Sequence, residues 1–220
     1  RRDRHFGQPR GVEEKKMIRA FLAVELAEDL RAQLAGIQQD LKRRLSREFS
    51  KEVRVSWVQP SSIHLTLKFL GDIDEPLIEP LRHTIEQAIN GQRALRIPIE
   101  RLGVFPRLEQ PRVIWMGASE SWERGPDAAR LPILHRVIED CCRSFGFASE
   151  ERPLRPHLTL ARIKAGERQV GLALAQSGAL DRPMVVGSLA INAIVLMKSE
   201  LRPAGPVYTK LWEARLAEGE

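Results

Sequence analysis

Cysteine is almost absent from this chain: two in 220 residues, Cys141 and Cys142, side by side in a helix-like segment. Neighbours so placed are poor partners for a structural bridge, which excludes a disulfide-built fold and makes a reducing cytoplasm the expected location. Long apolar runs are missing as well. The best, LAINAIVLM, is short and carries an Asn, whereas a membrane helix needs about 20 apolar residues. The basic N-terminus lacks the apolar stretch of a secretory signal. No Gly-rich loop ending in Gly-Lys-Ser/Thr and no dinucleotide fingerprint occurs, so neither NTP hydrolysis nor nicotinamide chemistry is indicated. No His, Cys or carboxylate cluster has zinc spacing. The expectation is a protein with no cofactor, no metal and no membrane contact, and nothing demands more than a monomer.

Charged residues make up 29% of the chain and hydrophobic ones 43%, ordinary values for a folded globular protein. The net charge of +6 is unevenly placed. Residues 1–16 hold six Lys/Arg against three Asp/Glu, which leaves 29 against 26 in the rest. Half of the excess thus belongs to a basic segment without hydrophobic periodicity, expected to be disordered. Residues 17–220 are expected to form one bilobal domain.

Along those residues, IRAFLAVEL (18–26) reads as a buried strand. Leu30, Leu34, Ile37, Leu41 and Leu45 recur three or four apart, the mark of an amphipathic helix. Strands follow at 53–58 and 63–71, a helix over EPLIEPLRHTIEQAIN, and strands at 94–105 and 112–118. A third helix runs through LPILHRVIEDCCRSFGF, closed by Gly146. Further strands are expected at 184–197 and 206–213, with a helix near 167–176. Several neighbouring strands are joined by turns too short for a parallel crossover. The fold class is therefore α+β, with two antiparallel β-sheet lobes.

One tetrapeptide occurs twice, HLTL at 64–67 and again at 157–160. Side chains alternate along a strand, so His64 and Thr66 share one face while Leu65 and Leu67 take the other. His157 and Thr159 stand over Leu158 and Leu160 in the same way. A lone H-x-T is an ordinary polar strand face. Two identical copies, each in a strand after a proline-containing turn, suggest two halves of one site. Such a site holds two imidazoles and two hydroxyls, which suits the opening of a cyclic phosphate. One histidine activates water, the other protonates the departing oxygen, and the threonines donate to phosphate oxygens.

By the same parity Lys68 shares the face of His64 and is a candidate anion contact, as is Arg155, two residues before His157. Arg162 has the parity of the leucines, which argues against a place in the site. Phe21 reads as core, with a base-stacking role as the alternative. His83 and His135 fall in helical segments and read as surface or boundary residues. Cys141 and Cys142 lack a nearby base and read as structural.

Five stretches in order, RAFLAVEL, WVQPSSIHLTLKFLGD, PRVIWMG, ERPLRPHLTLARIK and LMKSELRPAGPVYTKL, resemble the 2H phosphoesterase superfamily. Within it they resemble the RNA 2′,3′-cyclic phosphodiesterases, historically called 2′-5′ RNA ligases. The loop SESWERGPDAARLP and the N-terminal segment have no counterpart in that pattern. The resemblance implies a bilobal, pseudo-twofold fold with outer helices around a central cleft. It implies RNA ends or nucleotides with a 2′,3′-cyclic phosphate as substrates, hydrolysed at the 3′ ester to leave a 2′-phosphate. It implies His64 as proton donor, His157 as proton acceptor, and Thr66 and Thr159 as phosphate ligands. Acid and base cannot be assigned from two near-identical copies. Reversible 2′-5′ ligation and non-catalytic binding of RNA ends remain alternatives.

Overall fold

The computed structural model describes residues 16–182, 184–203 and 205–218; the expected disordered segment falls, except for Lys16, outside them. The order of elements is β1 (Met17–Glu25), α1 (Glu28–Leu45), β2 (Arg54–Trp57), β3 (His64–Asp74), α2 (Ile78–Ile89), β4 (Leu95–Ile99), β5 (Arg101–Phe105), β6 (Val113–Gly117), α3 (Glu120–Glu123), α4 (Arg130–Ser144), β7 (His157–Ala165), α5 (Glu167–Ser177), β8 (Gly187–Ile191), β9 (Ala193–Arg202) and β10 (Gly205–Arg215). The large sheet runs β10-β9-β1-β3-β7-β6-β5, with β2 also on β7, and β4 and β8 form a small second sheet. Every pair of these strands is antiparallel, so the fold class is the α+β one expected.

Two stretches expected as single strands are broken. Residues 94–105 divide into β4 and β5, and residues 184–197 into β8 and β9, each at one polar residue, Glu100 or Asn192, between apolar runs. The chain changes sheet at both points. Met184 N–H donates to Glu100 O and Leu216 N–H to Asn192 O, so both corners keep their backbone groups paired.

The large sheet is two halves joined at one place. β3 and β7 share a single paired position, Leu65 with Leu158, the second residue of each HLTL copy. Strands β1, β9 and β10 lie on one side of this seam and β2, β5 and β6 on the other. Helices cover the back: α1 packs on α5 and β8, while α2 packs on α4 and β10. The main core lies between helices and sheet and includes Leu22, Leu34, Leu65, Ile85, Ile138 and Leu158. A smaller cluster of Phe21, Ala23, Val195 and Met197, with Tyr208 against it, occupies the opposite face of β1 and β9. β1 is therefore apolar on both faces, which explains its unbroken hydrophobic run.

Both motif strands bulge at the last leucine of HLTL. On β3, Ala23 pairs with Thr66 and Leu22 with Lys68, leaving Leu67 as the extra residue. On β7, Trp115 pairs with Thr159 and Ile114 with Ala161, leaving Leu160 extra. A bulge reverses the parity of everything that follows it. Each bulged carbonyl is also held from behind by a buried helix side chain. His135 Nε2 donates to Leu67 O at 3.0 Å, and Gln38 Nε2 donates to Leu160 O at 2.8 Å.

Candidate active site

The open face of the sheet at the seam carries both histidines. His64 begins β3 directly after a turn of 3-10 helix opened by Pro60, and its Nδ1 lies 2.8 Å from Ser62 O. His157 begins β7 after Pro156, and its Nδ1 lies 2.7 Å from Arg155 O. A carbonyl only accepts, so Nδ1 carries the proton in both rings. In the neutral imidazole Nε2 is then the free base, and the two rings have the same tautomer by the same local device. Thr66 and Thr159 stand beside them, half-buried, on the same face.

Each imidazole rests against aromatic rings. Phe21 stacks on His64 at 4.8 Å with planes 29° apart, and Tyr208 meets His64 edge-on at 5.2 Å. Across the seam Phe105 meets His157 edge-on at 5.1 Å, and Trp115 lies 6.5 Å away. Burial lowers the pKa of both histidines from 6.5, and the Ser62 and Arg155 carbonyls partly oppose this. The positive charge of Arg162 lowers both further, and His157 lowers His64. Arg162 also pulls on Tyr208, whose phenol is raised by burial. One guanidinium thus acts on His64, His157 and Tyr208 together.

The bulges correct two expectations based on parity. Lys68 does not share the face of His64: it pairs with Leu22 and turns into the core, its side chain 4% exposed. There its Nζ binds both oxygens of Glu139, at 2.9 and 2.8 Å, and Ala148 O at 2.8 Å. The pair is closed to a substrate anion. Arg162, set aside by the same parity, returns to the cleft face opposite Val113. Its counterpart five residues after His64 is Phe69, which is 71% exposed and pairs with Phe21.

Of the other candidates, Arg155 is exposed and supplies the carbonyl that holds His157. Phe21 is 3% exposed; it supports His64 from below and offers no open face to a base. His135, expected at a surface or boundary, is buried, held by Leu67 O and 3.7 Å from Glu139. Cys141 and Cys142 are free and buried, and burial pushes the Cys142 thiol up to about 12. Tyr208 and the Phe105–Trp115 pair were missed by the motif reading, and Arg162 was considered there but set aside. Tyr208 is the only tyrosine in the chain, but it reaches His64 from β10, the far edge of the sheet.

Two histidine strands meeting at a pseudo-twofold seam, with aromatic support and a shared cation, define the class: a two-histidine phosphoesterase built on a split antiparallel sheet. The chain belongs to the LigT-like phosphoesterase family, whose model matches residues 24–115 and 125–208. Among curated proteins it is 36% identical over 199 residues to an RNA 2′,3′-cyclic phosphodiesterase of Methanothermobacter thermautotrophicus, covering 90% of this chain and 99% of that one. The enzyme of the same name from Aeropyrum pernix is 33% identical over 167 residues, 75% of this chain and 88% of that one. A solved structure from Thermus thermophilus superposes with a TM-score of 0.67 at 26% identity, covering 90% of this chain and 98% of that one. E. coli LigT complexed with 3′-AMP has the same fold, with a TM-score of 0.67 at 24% identity over 91% of this chain and 99% of that chain.

Proposed function

We propose that the protein hydrolyses 2′,3′-cyclic phosphates at RNA ends or on nucleotides, leaving a 2′-phosphomonoester, by acid–base catalysis between its two histidines. The observation that carries this reading is the matched pair of imidazoles. Both are Nδ1-protonated, both leave Nε2 free, and both face one cleft with a threonine beside each. His157 Nε2 takes a proton from the attacking water, and His64, protonated, gives one to the departing 3′-oxygen. This direction follows the order of the motifs in the resembling family. Thr66 and Thr159 donate hydrogen bonds to the non-bridging oxygens, and Arg162 balances the charge that grows on them. The names of the similar curated proteins support the same substrate class.

Binding of the phosphate dianion-like transition state favours the imidazolium, so substrate raises the histidine pKa values that burial and Arg162 hold down. Bound substrate thus favours the state in which one imidazole is charged and the other neutral. The scheme uses no metal, and among the described residues no group of three or more His, Cys, Asp or Glu is placed to hold one. Among those residues no helix is long and apolar enough to cross a membrane, and we place the protein in the cytoplasm on its two free, buried thiols.

The test is an RNA with a 2′,3′-cyclic phosphate incubated with the protein and excess EDTA across pH, with phosphorus NMR of the product. A 2′-monophosphate with a bell-shaped rate profile is expected. A 3′-monophosphate, or loss of activity in EDTA, overturns the bond cleaved or the metal-free scheme respectively.

A further inference from the structure

Beside the cleft, lined by Arg155 and Pro156 just before His157, lies a cavity of about 520 Å³, within the ~300–1,000 Å³ range of small-molecule sites. Phe105 and Trp115, the rings that touch His157, form its inner wall. They are stacked on each other at 5.0 Å with planes 29° apart. Trp115 has room because its neighbours on β5 and β6 are glycines: a Cβ on Gly103 would collide with the indole. Arg101 lies over the indole at 5.4 Å and is fixed by Glu120 and Glu123 at 3.1 and 3.2 Å.

The outer wall comes from the loop that the family pattern leaves unexplained. Glu120, Trp122, Glu123 and Arg124 all line the cavity, and all lie between the two stretches matched by the family model. Arg124 and Arg155 are exposed lining residues. The lining carries three guanidiniums against two carboxylates, and both carboxylates are engaged by Arg101.

We infer that this cavity binds a nucleotide of single-stranded RNA, the one immediately 5′ to the nucleotide that bears the cyclic phosphate. The inference rests on the reading of the site as an RNA cyclic phosphodiesterase. A terminal ribose with a 2′,3′-cyclic phosphate commits both of those oxygens to the catalytic cleft, so the RNA continues only from its 5′-oxygen. The neighbouring base then needs a surface beside the cleft. Trp115 itself is buried between Phe105 and Arg101, so the rings open to a base are the half-buried Phe105 and Trp122. Unpaired bases are recognised by stacking on such rings and on guanidinium planes. The exposed Arg124 and Arg155 match the phosphodiester that joins the two nucleotides. The loop therefore makes this chain a reader of RNA chains rather than of mononucleotides alone.

The experiment compares wild type and Arg124→Glu on cytidine 2′,3′-cyclic monophosphate and on a five-residue RNA ending in a 2′,3′-cyclic phosphate. Arg124 has only a 3.9 Å ion pair with Glu120, so the variant is expected to fold as wild type does, checked by its Tm. The expected result is a loss of tenfold or more in kcat/KM on the RNA, with the mononucleotide changed less than twofold. Equal losses on both substrates, or none on either, overturn the inference. In parallel, anisotropy of a labelled five-residue RNA ending in an unreactive 2′-phosphate reads binding alone. Tenfold weaker binding by the variant supports the cavity even if neither protein turns over substrate, in which case the proposed activity fails separately. Unchanged binding overturns the cavity whatever the activity.

Discussion

Leu65 and Leu158 are paired across the seam of the sheet, and each is the second residue of an HLTL copy. An antiparallel pair of equivalent residues places the local twofold axis between them. From that point the equivalence extends outward: His64 with His157, Thr66 with Thr159, the bulged Leu67 with Leu160, and Phe69 with Arg162. On the cleft face the symmetry ends at the fifth residue after each histidine. One half presents an exposed phenyl ring and the other a guanidinium. The two histidines therefore share a tautomer and a backbone geometry, while the residues that follow them on the cleft face differ.

Removing either ring is expected to cost rate and little stability. His64→Ala and His157→Ala should each lower kcat by about 10²–10⁴, the usual contribution of general acid–base catalysis. Both side chains are only half-buried, so urea midpoints should stay close to wild type. The double variant should be far less impaired than the product of the two losses, because the histidines act as a unit. Single-turnover rates on a cyclic-phosphate RNA check this, and wild-type turnover in either variant removes that histidine from the mechanism.

The charge of Arg162 lowers both histidine pKa values, after burial, which is the larger cause. Arg162→Gln should therefore raise both midpoints, read from the imidazole Cε1–H resonances during a pH titration of the free protein. In wild type both should titrate below 6.5. Stability has a matching sign. With the folded pKa values depressed, the unfolded chain binds more protons below 6.5, so stability falls as pH drops through 6.5 toward the folded values. The Arg162→Gln protein should lose less over that window. Unmoved midpoints would place Arg162 too far from the imidazoles to act.

Strand alternation recovered the first four residues of each motif and failed at the fifth. Nothing in KFLG or ARIK announces a bulge, because a bulge is a relation between two strands and neither sequence contains its partner. One insertion on each strand turned Lys68 into the core and Arg162 onto the cleft face. Tyr208 and the Phe105–Trp115 pair were hidden for a related reason: they approach the histidines from β10, β5 and β6, far off in sequence. The helices were legible because α1, α2 and α4 each bury one regular stripe. The breaks at Glu100 and Asn192 were not, since one polar residue in an apolar run is equally compatible with a continuous strand.

The buried side chains behind the bulges are expected to aim what lies beyond them. Gln38, 2% exposed, holds the carbonyls of Leu160 and Val58, both at 2.8 Å. Gln38→Leu leaves buried carbonyls with a lost partner, a cost of about 1–3 kcal/mol. It should also loosen the backbone that carries Arg162. Its histidine midpoints should then rise toward those of Arg162→Gln, an effect that a general loss of stability does not produce. His135→Leu, which frees Leu67 O on the other half, should cost similar stability and leave the midpoints unchanged, since Phe69 carries no charge.

Lys68 gives the last test, because its pair with Glu139 binds the two motif strands to one support. Glu139 lies on α4 and accepts from Glu150 N at 3.2 Å, while Lys68 donates to Ala148 O at 2.8 Å. Both contacts fix the segment that leads into His157. Lys68→Met strands a buried carboxylate and should destabilise by about 3–5 kcal/mol. Lys68→Met combined with Glu139→Leu removes both charges and should recover much of that loss, since an apolar pair of similar volume has no desolvation penalty. The recovery will be incomplete, because Ala148 O and Glu150 N still lose their partners. Urea unfolding of the two single variants and the double variant measures the coupling. A double variant less stable than either single one would show that the ion pair is not what holds the strands to α4.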